Sequence, residues 1–101
     1  MKTKVANISD FKDENILSVE TENSHVVLCK DENGVIFALE DRCSHADVAL
    51  SGGELKGSCI VCPAHGGAFE LGSGKAICMP AVAPVPTFKV IVENSDIFIE
   101  E

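Results

Sequence analysis

No uninterrupted apolar run in this 101-residue chain approaches the roughly 20 residues a membrane-spanning helix needs. Met1 to Asp10 turns polar before any secretory apolar region could form. Arg42 is the only arginine, which excludes a twin-arginine export signal. These absences read as a cytoplasmic protein. Basic residues are scarce too, eight against sixteen acidic, for a formal charge of -8. A surface of that sign repels phosphate backbones and anionic lipid, so neither nucleic acid nor a membrane is an expected partner. It would attract a protein with a basic docking face, although charge alone is as readily explained by the need to keep a small protein soluble.

Long helical patterns are missing as well. No segment offers a capped stretch with apolar residues at helical spacing, and there are no repeats or low-complexity tracts. Single helical turns are expected at most in Phe11 to Asn15 or Ala46 to Leu50. What is present is a series of short β-branched and aliphatic runs. Val26 to Cys29 and Val35 to Leu39 flank Lys30-Asp31-Glu32-Asn33-Gly34, whose Asn-Gly pair supplies the positive-φ residues of a tight hairpin. Phe88 to Val92 and Ile97 to Ile99 form a second hairpin across Glu93 to Asp96. Val5 to Ile8 and Ile16 to Val19 are two further strands, joined through Asp10 to Asn15. One domain of all-β class, built from short antiparallel strands, is expected.

The segment 41–86 differs from both flanks. It holds all but one of the eight glycines, all four prolines and four of the five cysteines. Glycine and proline at this density mark loops of special geometry. The reading is a small loop-rich subdomain, 41–86, inserted in a base domain of 1–40 and 87–101. An odd cysteine count in an apparently unexported chain argues against a disulfide framework and for metal ligation or redox chemistry.

Two clusters carry that chemistry, Cys43-Ser44-His45 and Cys62-Pro63-Ala64-His65-Gly66-Gly67, with sixteen residues between His45 and Cys62. Such spacings let two side chains of one turn converge on one metal centre. Two turns together supply two soft thiolates and two imidazoles. One cysteine near one histidine would be chance; two pairs, each in its own turn, are a metal site. A thiol–imidazole dyad is the weaker account, because it uses only one of each. The ligand types leave one zinc and a two-iron cluster both open.

C-x-H, sixteen residues, then C-x-x-H followed by glycine closely resembles the Rieske 2Fe–2S motif. Cys62 to Ala76 looks like the second cluster loop and following hairpin of that family. Met79 to Val90 is similar to its proline-bearing loop, so the resemblance covers most of Asp41 to Val92. The size, and His45-Ala46-Asp47, look most like the soluble ferredoxins of ring-hydroxylating dioxygenase systems. The resemblance implies an antiparallel β sandwich with a small cluster-binding subdomain and one 2Fe–2S cluster. Cys43 and Cys62 would hold the inner iron, and His45 and His65 the outer one. It implies a one-electron carrier, not itself an enzyme and with no small-molecule substrate. Its partners would be an NAD(P)H-dependent reductase and a terminal oxygenase. Two other readings compete: the small electron-transfer subunit of a larger oxidoreductase such as nitrite reductase, and a zinc-stabilised structural module.

Departures from the respiratory pattern are informative. The extra cysteines that brace its two loops are replaced by Val48 and Ala64, so that disulfide cannot form here. Gly67 and Phe69 stand where respiratory proteins have a serine and a tyrosine that donate hydrogen bonds to sulfur. Fewer donors stabilise an added electron less, so the potential is expected at about -150 mV rather than about +300 mV. Phe69 and Pro80 to Pro86 would keep water from the cluster. Cys29, Cys59 and Cys78 read as ordinary buried thiols, with a Cys59–Cys78 disulfide possible only on paper. His25 and Arg42 read as surface side chains.

Overall fold

The computed structural model describes residues 2–42, 48–63, 67–78 and 83–100. Among these described residues ten strands follow one another in chain order: β1 (Lys2–Asn7), β2 (Ile16–Glu20), β3 (His25–Lys30), β4 (Ile36–Glu40), β5 (Glu54–Lys56), β6 (Cys59–Val61), β7 (Ala68–Glu70), β8 (Ala76–Cys78), β9 (Thr87–Glu93) and β10 (Asp96–Glu100). Among the described residues the only helical pieces are two 3-10 turns, Ile8–Phe11 and Leu50–Gly52. The chain is all-β, as its sequence indicated.

Every pairing is antiparallel, within a six-stranded sheet in the order β1-β10-β9-β4-β3-β2 and a four-stranded sheet in the order β5-β6-β7-β8. The larger sheet is weakest at its middle, where β4 meets β9 through Ala38↔Phe88 and Leu39↔Thr87 alone. Its two halves close over one core. Ala6 from β1, Val26 and Leu28 from β3, Ala38 from β4, and Ile97 and Ile99 from β10 bury together with Phe11. In β10 the buried residues alternate with more exposed ones, the period-2 pattern of a strand with one face inward.

Strand β3 breaks that alternation because both its faces are covered. Val26 and Leu28 face the first core, while Val27 and Cys29 face a second. The second core adds Leu39, Leu50, Ile60, Cys62, Phe69, Leu71 and Val85, so the four-stranded sheet packs over the outer side of β3 and β4. Burying each large aliphatic or aromatic side chain there contributes about 1.5–3 kcal/mol. This second core is the floor of the candidate site.

The turns refine the sequence reading. Between β3 and β4 only Gly34 takes a positive φ, 81°, and Asn33 does not, contrary to the expectation for the Asn-Gly pair. Asp31 does the rest: its Oδ1 accepts from the N–H of Asn33 and of Val35, both at 2.9 Å. Between β9 and β10 the connection is two residues, Asn94 and Ser95, at φ 51° and 74°. Both being left-handed fits the type I′ hairpin whose twist matches the strands. The first helical turn lies at Ile8–Phe11 rather than Phe11 to Asn15. Asn7 caps it, accepting from Ser9 N at 3.0 Å while its own N–H donates to Asp10 Oδ2 at 2.8 Å. The second lies at Leu50–Gly52, just beyond the expected Ala46 to Leu50, part of which falls outside the described residues.

Candidate metal centre

Of the four candidate ligands, Cys62 lies within the described residues; Cys43, His45 and His65 lie outside them. Cys62 follows β6 directly and is buried, 1% exposed, in the second core. Its N–H donates to the carbonyl of Gly67 at 2.6 Å. Gly67 is itself buried, and Phe69 two residues on is fully enclosed among the aliphatic side chains of the second core. The strand thus delivers a soft thiol out of water. Gly67 and Phe69 supply no side-chain hydroxyl to it.

The stem of the first ligand segment is held just as firmly. Strand β4 ends at Glu40; Asp41 then donates its N–H to the His25 carbonyl at 2.9 Å. The Asp41 carboxylate accepts from Ser51 N at 2.7 Å and from Ser18 Oγ at 2.9 Å. Val48 returns half-buried against the second core, and Leu50 is buried within it. Residues 43–47 therefore begin and end on fixed points.

The two stems adjoin. A Cβ on Gly52 would stand 3.7 Å from Pro63 Cγ, and one on Gly53 would collide with the Val61 carbonyl. Only glycine at 53 lets the Leu50–Gly52 turn press against the strand that carries Cys62. A groove of about 390 Å³ opens there, lined by Gly52, Gly53, Glu54, Val61, Cys62 and Pro63. The proline-bearing segment is tied in as well. Val85 N donates to the Gly74 carbonyl at 2.9 Å, and Gly74 has φ 72° with no room for a Cβ beside the Val85 carbonyl.

Of the three thiols expected to be buried, Cys29 is, Cys59 is only half-buried, and the Cys78 side chain lies outside what is described. Cys29 is buried on the second-core side of β3, and burial, then the charge of Asp41, pushes its thiol up to about 12. Cys59 is a half-buried free thiol, and β7 separates its strand from that of Cys78, so the two do not form a disulfide. His25 is exposed, with Nδ1 3.3 Å from Glu20 Oε1. Arg42 is exposed, its N–H donating to the Glu40 carbonyl at 2.8 Å. Sequence reasoning missed Asp41; its only signal was nearness to a ligand motif. No group of three potential ligands gathers among the described residues, as follows with three of the four proposed ones outside them.

The candidate donor set, two thiolates and two imidazoles, fits a 2Fe–2S cluster of mixed ligation. Its described member, Cys62, is a buried thiol, with the Leu50–Gly52 turn packed beside it. No helix among the described residues is long and apolar enough to cross a membrane.

Comparison with known proteins bears on the same residues. Residues 1–89 match the Rieske [2Fe-2S] domain. The 3-phenylpropionate/cinnamic acid dioxygenase ferredoxin subunit of Shigella boydii serotype 4 (strain Sb227) is 39% identical over 94 residues, spanning 92% of this chain and 87% of that one. Among solved structures, the ferredoxin of carbazole 1,9a-dioxygenase from Nocardioides aromaticivorans IC177 is 27% identical with a TM-score of 0.89, covering 98% and 96% of the two chains. A complex of reduced oxygenase and oxidised ferredoxin in carbazole 1,9a-dioxygenase contains a chain 30% identical to this one, with a TM-score of 0.87 and coverage of 97% and 91%.

Proposed function

The chain belongs to the Rieske 2Fe–2S domain family, and we propose that it is the ferredoxin component of a ring-hydroxylating dioxygenase system, carrying one electron at a time from an NAD(P)H-dependent reductase to a terminal oxygenase. It is a carrier and not itself the enzyme, like the ferredoxin subunits it resembles along most of its length. Cys43, His45, Cys62 and His65 are the ligands, Cys43 and Cys62 on the inner iron and His45 and His65 on the outer. When bound, such a cluster accepts and returns a single electron, and its imidazoles leave it less negative and easier to reduce than an all-thiolate centre.

The observation that carries this reading is Cys62: a buried thiol just after β6, whose N–H bonds to the Gly67 carbonyl beside the stem of the first ligand segment. Each neighbouring residue has a part. Phe69, Leu71 and Val85 enclose the floor and exclude water from it. Asp41 and Gly53 hold the two stems at a fixed separation. The segment 41–86 acts as the cluster-binding unit, set into a base of 1–40 and 87–101 that supplies the rigid sheet. Free thiols at Cys29 and Cys59 suit a reducing cytoplasm.

The partners are testable directly. The reductase and oxygenase of a 3-phenylpropionate/cinnamic acid dioxygenase system, whose ferredoxin subunit is a relative, serve as surrogate partners. NAD(P)H and the reductase are expected to bleach the visible absorbance of this protein, and oxidised oxygenase to restore it. A protein that holds its two irons yet exchanges electrons with neither component would refute the dioxygenase assignment.

A further inference from the structure

Among the described residues, Asp41 is the one buried charged side chain, 8% exposed. Burying a carboxylate is costly unless its oxygens are satisfied, and here both are. Oδ1 accepts from Ser51 N at 2.7 Å and Oδ2 from Ser18 Oγ at 2.9 Å. Together with the Asp41 N–H to the His25 carbonyl, these bonds join β2, β3 and the Leu50–Gly52 turn at one point. That point lies at the entry to residues 43–47, and Ser51 lies just past their exit.

Closing this stem does not require a charge. An asparagine could accept from Ser51 N through its carbonyl oxygen and donate to Ser18 Oγ from its amide, without burying an ion. The charge therefore calls for a second reason. Asp41 is two residues from Cys43, so covalent geometry keeps their Cα atoms within roughly 7 Å of each other. A fixed negative charge this close to Cys43, a proposed inner-iron ligand, opposes the arrival of an electron.

We propose that Asp41 is a positioning residue of the iron–sulfur site, clamping both ends of the 43–47 segment through Ser51 and Ser18 while its carboxylate charge holds the reduction potential down. The proposal rests on the reading of Cys43 and Cys62 as ligands.

The test compares the holoprotein with Asp41→Asn and Ser18→Ala, measuring iron per chain, thermal midpoint and a redox titration on each. Asp41→Asn is expected to keep its iron and titrate at a higher potential. Ser18→Ala removes one donor from the carboxylate at an exposed position of β2, leaves its charge less screened, and is expected to titrate lower. A merely structural clamp would move the thermal midpoint and leave the potential alone. If both variants keep parental iron and the parental potential, the proposal is overturned. If Asp41→Asn does not fold, Ser18→Ala decides by the same criterion. An unmutated protein that binds no iron would instead overturn the ligand reading beneath it.

Discussion

At the residue scale, the assignment depends on which atoms meet the metal. Replacing His45 or His65 with cysteine exchanges a neutral ring nitrogen for an anionic sulfur, which makes the centre harder to reduce. Such variants are expected either to lose iron or to titrate at a lower potential. An unchanged spectrum and midpoint would remove both histidines from the ligand set. Cys29 offers a separate check on the packing below the site. Its thiol is raised from 9.0 to about 12, chiefly by burial and next by Asp41. The proton is held more tightly in the folded state, so the stabilisation is complete below pH 9 and is lost as pH rises through the window up to 12. Urea midpoints are therefore expected to fall across that range, and the fall to be shallower in Cys29→Ala. Identical profiles would mean that Cys29 is more open to water than its place in the second core allows. Asp96 shifts the other way: hydrogen bonds from Asn7, then from Lys4, hold its carboxyl below the usual range.

At the scale of elements, turn chemistry sets the strand boundaries. Asn94 and Ser95 both occupy left-handed conformations, and serine accepts that region less readily than glycine. Ser95→Gly is expected to stabilise the β9–β10 hairpin by about 1 kcal/mol, raising the denaturant midpoint without changing its slope. A lower midpoint would show that the serine side chain contributes a contact that outweighs the backbone strain. The hairpins were legible in the sequence because their signals are local, alternating β-branched runs around Asn-Gly or Asn-Ser. The details that escaped depend on side chains reaching the backbone. Asp31 shapes the turn that the Asn33-Gly34 pair announced, and Asn7 with Asp10 moves the first helical turn upstream. The four candidate ligand positions stood out for the same local reason, each cysteine standing two or three residues from a histidine. Asp41 did not, since its partners Ser18 and Ser51 are 23 and 10 residues away in the chain.

At the scale of the whole molecule, a net charge of -8 on 101 residues makes association with a basic partner surface sensitive to ionic strength. Raising salt from low to physiological levels is expected to slow bimolecular electron delivery to the oxygenase severalfold while leaving the midpoint potential unchanged. Rates independent of salt would show that the acidic surface keeps the protein soluble without steering it. All of this rests on one cofactor held by two thiolates and two imidazoles. The most direct measurement is electron paramagnetic resonance on the dithionite-reduced protein, with iron and zinc counted on the same sample. A rhombic signal with an average g below that of all-cysteine clusters, and two irons per chain, is expected. Zinc without a signal from fresh, anaerobically prepared protein would contradict the electron carrier and leave a metal-braced structural module in its place.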